Sequence, residues 1–475
     1  MNKLAVPAPA SAGRNRAGFD SLRGWLAHLA ATGRLVETAP GIDLRFTLAA
    51  IAKKLEGRQA SYFPAPGGHA VPIVSGVLGA RAWIAEAMGV APAALLDAFR
   101  TAADNPLPWR EVAASAAPCR QVVHRSAIDL ARLLPLPTHH ELDAGAYVTA
   151  GLVIARNPRT GRQNVSINRL QLQGPDKLGI LILPRDLSQF YAAAEQAGQA
   201  LDVAIAIGVD PLTLLASQAI APLDQDELEI AGALHGAPLP VVKALTSELR
   251  VPAEAEIVIE GRLLPHVRAL EGPFGEFPKY YGPAGERQVI EITAVSHRAK
   301  PLYHTIVPGG MEHLLLGAIP REATILAYLR RNFANVLDVH LSLGGVARYH
   351  LYVKLKKRLP EEAANVISAA FSSHFDVKHV IVVDDDIDVH DPAQVEWAVA
   401  TRFQAHRDLV ILPRSQGSRL DPSTDDGIGA KMGLDATKPL DPGDRYTVMR
   451  IPGEDALDLE ALVRGPLDPA RLRED

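Results

Sequence analysis

Apolar and polar positions recur with different periods along the chain, and the changes of period divide it. Between residues 19 and 32, Leu22, Trp25, Leu26 and Leu29 fall on one helical face. The same spacing returns over 44–55, 80–88 and 91–102, the last opened by Pro92, a residue suited to a helix's first turn. A turn-rich link, 62–68, lies between these patterns, and the proline-broken stretch 105–109 marks a boundary. From about residue 116 the apolar runs shorten and become rich in β-branched residues: 147–154, 164–173, 179–183, 255–263 and 288–295. Helical patterns are confined there to 187–197 and 226–234. That texture predicts a sheet-based barrel or sandwich.

From about residue 316 strands and helices alternate. Helices are predicted over 323–332, 361–373 and from 395, and strands over 336–343, 348–354 and 379–383. This is the pattern of a small α/β layer domain. The tail beyond Asp421 is rich in Asp, Gly and Pro and ends in a charged helix over 456–464. The expected division is therefore 1–115, 116–315 and 316–475, an α+β multidomain chain.

Composition narrows the function. A chain of 475 residues exceeds one ordinary core, and 48% hydrophobic with 22% charged residues excludes a disordered chain. With 49 Lys and Arg against 54 Asp and Glu, the net charge of −5 gives no general attraction to nucleic acid or anionic membranes. The longest apolar stretch, 203–223, carries Asp210 and two prolines, which argues for a buried strand and a short helix instead of a membrane span. The opening stretch, 1–13, is too short and proline-broken for an export signal. One cysteine, Cys119, permits no internal disulfide and no paired-cysteine zinc site, and fits a reducing cytosol. The expectation is a cytoplasmic enzyme with no nucleic-acid or membrane partner.

Two segments carry candidate chemistry. In Glu271-Gly-Pro-Phe-Gly-Glu276 two carboxylates flank a bend that can bring both side chains to one cavity. Paired carboxylates can share a proton and serve as a general acid; two solvated glutamates on a surface turn would look the same. In Asn164-Val-Ser-Ile-Asn-Arg169, strand alternation puts Asn164, Ser166 and Asn168 on one face and Val165, Ile167 and Arg169 on the other. An arginine among apolar neighbours needs a carboxylate partner, which the glutamates could supply. The Asn164 carbonyl suits magnesium or manganese, with Asp186, Glu227 or Glu229 to complete a site. Glu227 and Glu229 could equally well only complement a helix dipole.

Other clusters carry less. Asp384 to Asp388 lacks the glycine and the closing glutamate of a calcium loop. His139-His140 and the His304/His313 pair lack metal-ligand context. Gly427-Ile-Gly429 follows no predicted strand, so it is no dinucleotide fingerprint.

Taken together the segments resemble the UbiD family of prenylated-flavin-dependent decarboxylases. The resemblance rests on Asn164 to Arg169, Asp226-Glu-Leu-Glu-Ile-Ala-Gly232, Val241-Val-Lys243 and Glu271 to Glu276. It extends to Asp143-Ala-Gly-Ala-Tyr147, Asp388-Val389, Trp397-Ala398, Thr401-Arg402 and Lys431-Met-Gly-Leu-Asp-Ala-Thr437, in the family's order. It implies a central flavin-reductase-like split β-barrel flanked by N-terminal and C-terminal α/β domains, and a homodimer or homohexamer formed through the C-terminal region. It also implies reversible, non-oxidative decarboxylation of an aromatic or heteroaromatic acid on prenylated FMN, which a flavin prenyltransferase would supply. Manganese or magnesium, with potassium nearby, would hold the phosphate.

By the same resemblance Arg169, Glu271 and Glu276 form the catalytic network, with Glu276 the proton donor. Asn164, Ser166, Ile167, Arg169 and Lys431 would meet the cofactor, Asn164, Asp186 and Glu227 the divalent ion, and Ser217 would lie near the potassium. His304, Met311 and Leu316 would line the substrate pocket. One position departs: the family's usual histidine ligand is absent, and Asp186 is its expected replacement. The contrasting reading is a non-catalytic flavin-binding or assembly subunit, which would be expected to lose the acid network that this chain keeps.

Overall fold

The computed structural model describes residues 19–466, 468 and 471, so the expectation about the opening stretch 1–13 lies outside the described residues. Four helices, Leu22–Ala31, Thr47–Leu55, Arg81–Ala87 and Leu95–Asp104, open the described chain. They accompany a four-stranded sheet in the order Leu35–Glu37, Ala60–Phe63, Ile73–Ser75, Tyr303–His304. Part of the expected link 62–68 is thus strand.

The centre is a nine-stranded sheet. Its path runs Tyr147–Val148, Leu170–Gly174, Lys177–Ile180, Gly285–His297, Ile257–Glu271, Leu201–Ile207, Leu152–Arg156, Gln163–Ile167, and Val122–His124 pairs beside Gly285–His297. The strand Leu201–Ile207 shows why these runs are so apolar. Val203, Ile205 and Ile207 point into one core and Ala204 and Ala206 into another. Side chains alternate across a strand, so a sheet covered on both faces has no polar positions to spare. The sheet order is an open path with two ends, and no closed barrel is formed among the described residues. The two longest strands, Ile257–Glu271 and Gly285–His297, extend beyond the expected 255–263 and 288–295, and the extension carries Glu271 to the site.

The last sheet runs Val336–Leu341, His350–Leu355, His379–Asp384, Ile428–Ala436, Leu409–Gln416, with helices Glu362–Ser373 and Pro392–Arg402 packed on it. Two of these strands, Leu409–Gln416 and Ile428–Ala436, were not foreseen, and the second lies within the Asp-, Gly- and Pro-rich tail. Leu409–Gln416 is an edge strand whose register slips between Leu412 and Ser415, around Pro413, and an edge is where a sheet tolerates proline. The charged helix expected over 456–464 is a single turn, Leu459–Leu462.

The helix expected from residue 323 begins at Met311 and ends at Arg330, running through Pro320. A proline inside a helix costs about 3 kcal/mol, and here residues 314–323 are all buried, so packing outweighs it. Among the described residues no single helix is long and apolar enough to cross a membrane.

Candidate active site

The strand Gln163–Ile167 stops before Arg169, so Arg169 does not continue its alternation as expected. It stands in the link to Leu170–Gly174, a link held by Asn168, whose Nδ2 donates to the Leu181 carbonyl at 3.2 Å and whose Oδ1 accepts from Ser166 Oγ at 2.9 Å. From there its guanidinium reaches both predicted glutamates. Nε donates to Glu271 Oε1 at 2.9 Å and Nη2 to Glu271 Oε2 at 2.7 Å, while Nη1 donates to Glu276 Oε1. The bend does what its glycines allow. Gly272 sits at φ +83, and a Cβ on Gly282 would lie 3.1 Å from Arg169 Nη1 and 3.3 Å from Glu276 Cγ.

One buried cation faces two carboxylates, so the set favours holding a proton. Burial raises the Glu276 pKa above the usual carboxylate range, Arg169 opposes this, and the charge of Glu271 adds to it. Arg169 itself is held charged: burial pulls its pKa down, but the bond to Glu271 and the charges of both glutamates raise it.

Further residues, which sequence reasoning did not place in the site, build the frame. Tyr147 donates its hydroxyl toward Glu271 Oε1 and Gln171 Oε1, each at 3.2 Å. Gln171 Oε1 also accepts from the Gly272 N–H at 3.0 Å. The Phe274 ring lies between Tyr147, centroids 4.3 Å apart, and the Arg169 guanidinium, 5.1 Å away. Asp143 accepts from the Gly275 and His140 N–H groups at 2.8 and 2.9 Å, and the Ala144 N–H donates to the Pro273 carbonyl at 2.9 Å. The segment 140–147 therefore grips the hairpin that carries Glu276.

Asn164 and Glu227 also meet. Asn164 Nδ2 donates to Glu227 Oε1 at 2.9 Å and the Val165 N–H to Oε2 at 2.6 Å. Glu227 opens the helix Glu227–His235, which Asp226 caps through the Leu228 N–H. Burial raises the Glu227 pKa far above normal, and the charges of Asp226 and Asp186 add to this. Asp186 is the first residue of the helix Asp186–Gln196, whose N-cap, Arg185, makes no side-chain capping bond. Glu229 instead accepts from Arg162 Nη2 at 2.8 Å. Among the described residues no group of three or more His, Cys, Asp or Glu side chains forms a metal site; what exists is an amide with buried, mutually repelling carboxylates. A divalent cation fits that set, because it supplies the charge the carboxylates lack and takes oxygen ligands.

The remaining predicted residues are dispersed. Ser217 Oγ donates to the Leu214 carbonyl at 2.7 Å, and Ile167 is half-buried. His304 is buried in the N-terminal sheet, its Nε2 3.3 Å from Glu312 Oε1. The Met311 N–H donates to Glu56 Oε2 at 2.9 Å, and Leu316 lies in the main core. Among the described residues none of these bonds to Arg169, Glu271 or Glu276.

Lys431 belongs to a buried group of cations in the C-terminal sheet's neighbourhood. Its Nζ donates to the Phe375 carbonyl at 3.0 Å, and burial lowers its pKa. Arg321 and Arg348 are 6% and 7% exposed, and their main acidic neighbour is Asp376, 3.6 Å from Arg321 Nη2. Burial and the charge of Arg348 push Arg321 well below its normal pKa, burial pushes Arg348 to about 10, and Arg185, beside Asp186, adds repulsion to both. Arg348 fits only because residue 317 is glycine, whose Cβ would overlap the guanidinium. It lies 5.2 Å from the Phe277 ring, next to Glu276 in sequence. These arginines were legible by the argument used for Arg169, a cation in an apolar run, but nothing in sequence brought them together.

Three family models match in order: the 3-octaprenyl-4-hydroxybenzoate carboxy-lyase N-terminal domain over residues 26–103, its Rift-related domain over 110–311, and its C-terminal domain over 314–436. The chain is 38% identical to the anhydromevalonate phosphate decarboxylase of Methanothermobacter thermautotrophicus over 378 residues, 79% of this chain and 88% of the relative. It is similar to the UbiD-class enzyme HmfF from Pelotomaculum thermopropionicum in complex with FMN, with TM-score 0.92 and 51% identity over 93% of this chain and all of that one. An evolved dimeric form of HmfF in complex with prFMN gives 0.88 and 48%, over 94% and 100%. The apo 3,4-dihydroxybenzoic acid decarboxylase of Enterobacter cloacae gives 0.85 and 30%, over 92% and 98%.

Proposed function

The chain belongs to the UbiD family of decarboxylases, and from that membership we propose that it reversibly removes carbon dioxide from an aromatic or heteroaromatic acid carrying a second anionic group, using prenylated FMN. The observation that carries the reading is the Arg169–Glu271–Glu276 network beside a surplus of buried cations. Three cations, Arg321, Arg348 and Lys431, share one carboxylate, Asp376. Buried charge of one sign is costly unless a ligand neutralises it. A second acidic group on the substrate supplies what is missing at Arg321 and Arg348, while Lys431 keeps the place beside the cofactor that the resemblance implies for it.

The roles follow from the contacts. Five N–H hydrogens are available on Arg169 and three are committed to the glutamates, which leaves two for the reacting carboxylate. When bound, the cofactor supplies an electron sink for the pair released as the carbon–carboxylate bond breaks. Glu276, raised in pKa, gives its proton to the carbon that carbon dioxide leaves, and Arg169 stabilises the carboxylate that results. In the carboxylation direction the same oxygen takes the proton back. Asn164, Asp186 and Glu227 would hold manganese or magnesium against the cofactor phosphate. Potassium near Ser217 and assembly as a homodimer or homohexamer belong to the same proposal.

The test is co-expression with a flavin prenyltransferase, then carbon dioxide release from paired mono- and diacids. Turnover of diacids that Glu276→Gln lowers on the order of 10²–10⁴ supports the proposal, and turnover left at the wild-type rate overturns it.

A further inference from the structure

We propose that Tyr147 is a positioning residue that settles the shared proton on Glu276 by donating its hydroxyl to Glu271. The inference rests on the reading of Glu276 as proton donor and goes beyond it, since two glutamates on one arginine do not by themselves say which is the acid.

The asymmetry lies in the donors. Three converge on Glu271: Arg169 Nε, Arg169 Nη2 and the Tyr147 hydroxyl. Its side chain is wholly buried. Two guanidinium N–H groups bind Glu271 as a fork, whereas one reaches Glu276, so the charged, acceptor-only form is worth more at Glu271. Glu276 accepts from one guanidinium nitrogen and from the Phe277 backbone N–H. Its side chain keeps 13% exposure, where that of Glu271 has none.

The phenol is fixed for this task. Because the Gly272 N–H donates to Gln171 at 3.0 Å, the oxygen of that amide, and not its nitrogen, faces Tyr147. Its one hydrogen lies between two acceptors, the neutral Gln171 amide and the Glu271 carboxylate that Arg169 binds, and the charged acceptor takes the stronger bond. Packing against Phe274 holds the ring. Burial and the charge of Glu271 raise the phenol's pKa, so its hydrogen stays in place wherever the enzyme works.

Removing the hydroxyl frees Glu271 to compete for the proton. In Tyr147→Phe, with cofactor bound, the plateau of kcat should fall on the order of tenfold, the effect of one lost donor to a charged group. The alkaline limb of the pH profile should move up, because the pair as a whole binds its proton more tightly. In a Glu271→Gln background the same change should add little. A limb that stays put, or losses that multiply in the double variant, would overturn the proposal. Replacing Tyr147 by 3-fluorotyrosine, which keeps shape and folding and donates more strongly, should move the limb down; an unmoved or raised limb there also counts against it. Failure of the underlying reading looks different: Glu276→Gln would then remain active.

Discussion

The His140 ring fills the space that a side chain on Gly275 would need: a Cβ there would lie 2.5 Å from His140 Nδ1. Since the Gly275 N–H is also held by Asp143, the residue next to Glu276 is fixed from both sides. Gly275→Ala should overpack this point, lowering stability by about 1–3 kcal/mol and reducing kcat more than it raises KM. Adding His140→Ala should recover much of the thermal midpoint. Thermal melts and steady-state kinetics on the single and double variants check this, and a harmless Gly275→Ala would contradict the packing.

The pH dependence has a definite sign. As the proposed proton donor Glu276 has to be protonated, and burial raises its pKa, opposed by Arg169. Activity in the decarboxylation direction should therefore persist above the ordinary carboxylate range and fall as pH rises through the raised pKa. Glu276→Gln should lose on the order of 10²–10⁴ in rate while the bound cofactor's spectrum stays nearly unchanged. Profiles of kcat/KM against pH for both proteins test it, and an alkaline limb retained with residual rate in the variant would assign the limb to another group.

Some of this was legible in the chain. Arg169, Glu271 and Glu276 were legible as candidates, an arginine in want of carboxylates and a bend able to bring two together, but solvated glutamates on a turn would read the same and it was the resemblance that joined the three. The helices with clean spacing, such as Leu22–Ala31 and Glu362–Ser373, fell close to expectation. The start of Met311–Arg330 did not, because an all-round buried helix has no polar face to give the period and Pro320 interrupts it. Leu409–Gln416 was hidden by Pro413. Tyr147 and Gln171 lay on segments whose partner, Glu271, is fixed only by sheet register and a bend. Arg321, Arg348 and Lys431 come from separate elements, and only tertiary packing gathers them.

Asp186 is the first residue of its helix and Arg185 is the N-cap, so beyond its charge at the helix N-terminus, about 0.3–1 kcal/mol, its carboxylate has little helix role to lose. Asp186→Ala should leave the thermal midpoint of the cofactor-free protein nearly unchanged and should weaken retention of divalent ion and flavin together. Asp186→His should retain both at least as well as wild type, with one negative charge fewer beside Glu227. Metal analysis and flavin absorbance on purified protein decide it. Full manganese and flavin in both Asp186→Ala and Asp186→Asn would remove Asp186 from the ligand set.

Arg321 offers the sharpest separation of substrate from cofactor. Its guanidinium donates to the Gly317 carbonyl and to His374, and shares Asp376 with Arg348 and Lys431. Arg321→Gln keeps a hydrogen-bonding head but removes one charge from a set that already holds a surplus, so the protein should fold, and relief of repulsion could even raise its thermal midpoint. Asp376 stays matched by the two remaining cations. If the surplus serves a second acidic group on the substrate, KM for a diacid should rise on the order of a hundredfold, the effect of losing one buried charge partner. A monoacid of the same ring, which never used that charge, should keep its KM. Flavin content should not change. Were the anion instead the cofactor phosphate, flavin retention would fall and both acids would lose equally. Parallel kinetics on a matched diacid and monoacid, with flavin stoichiometry measured on the same preparations, separate the two.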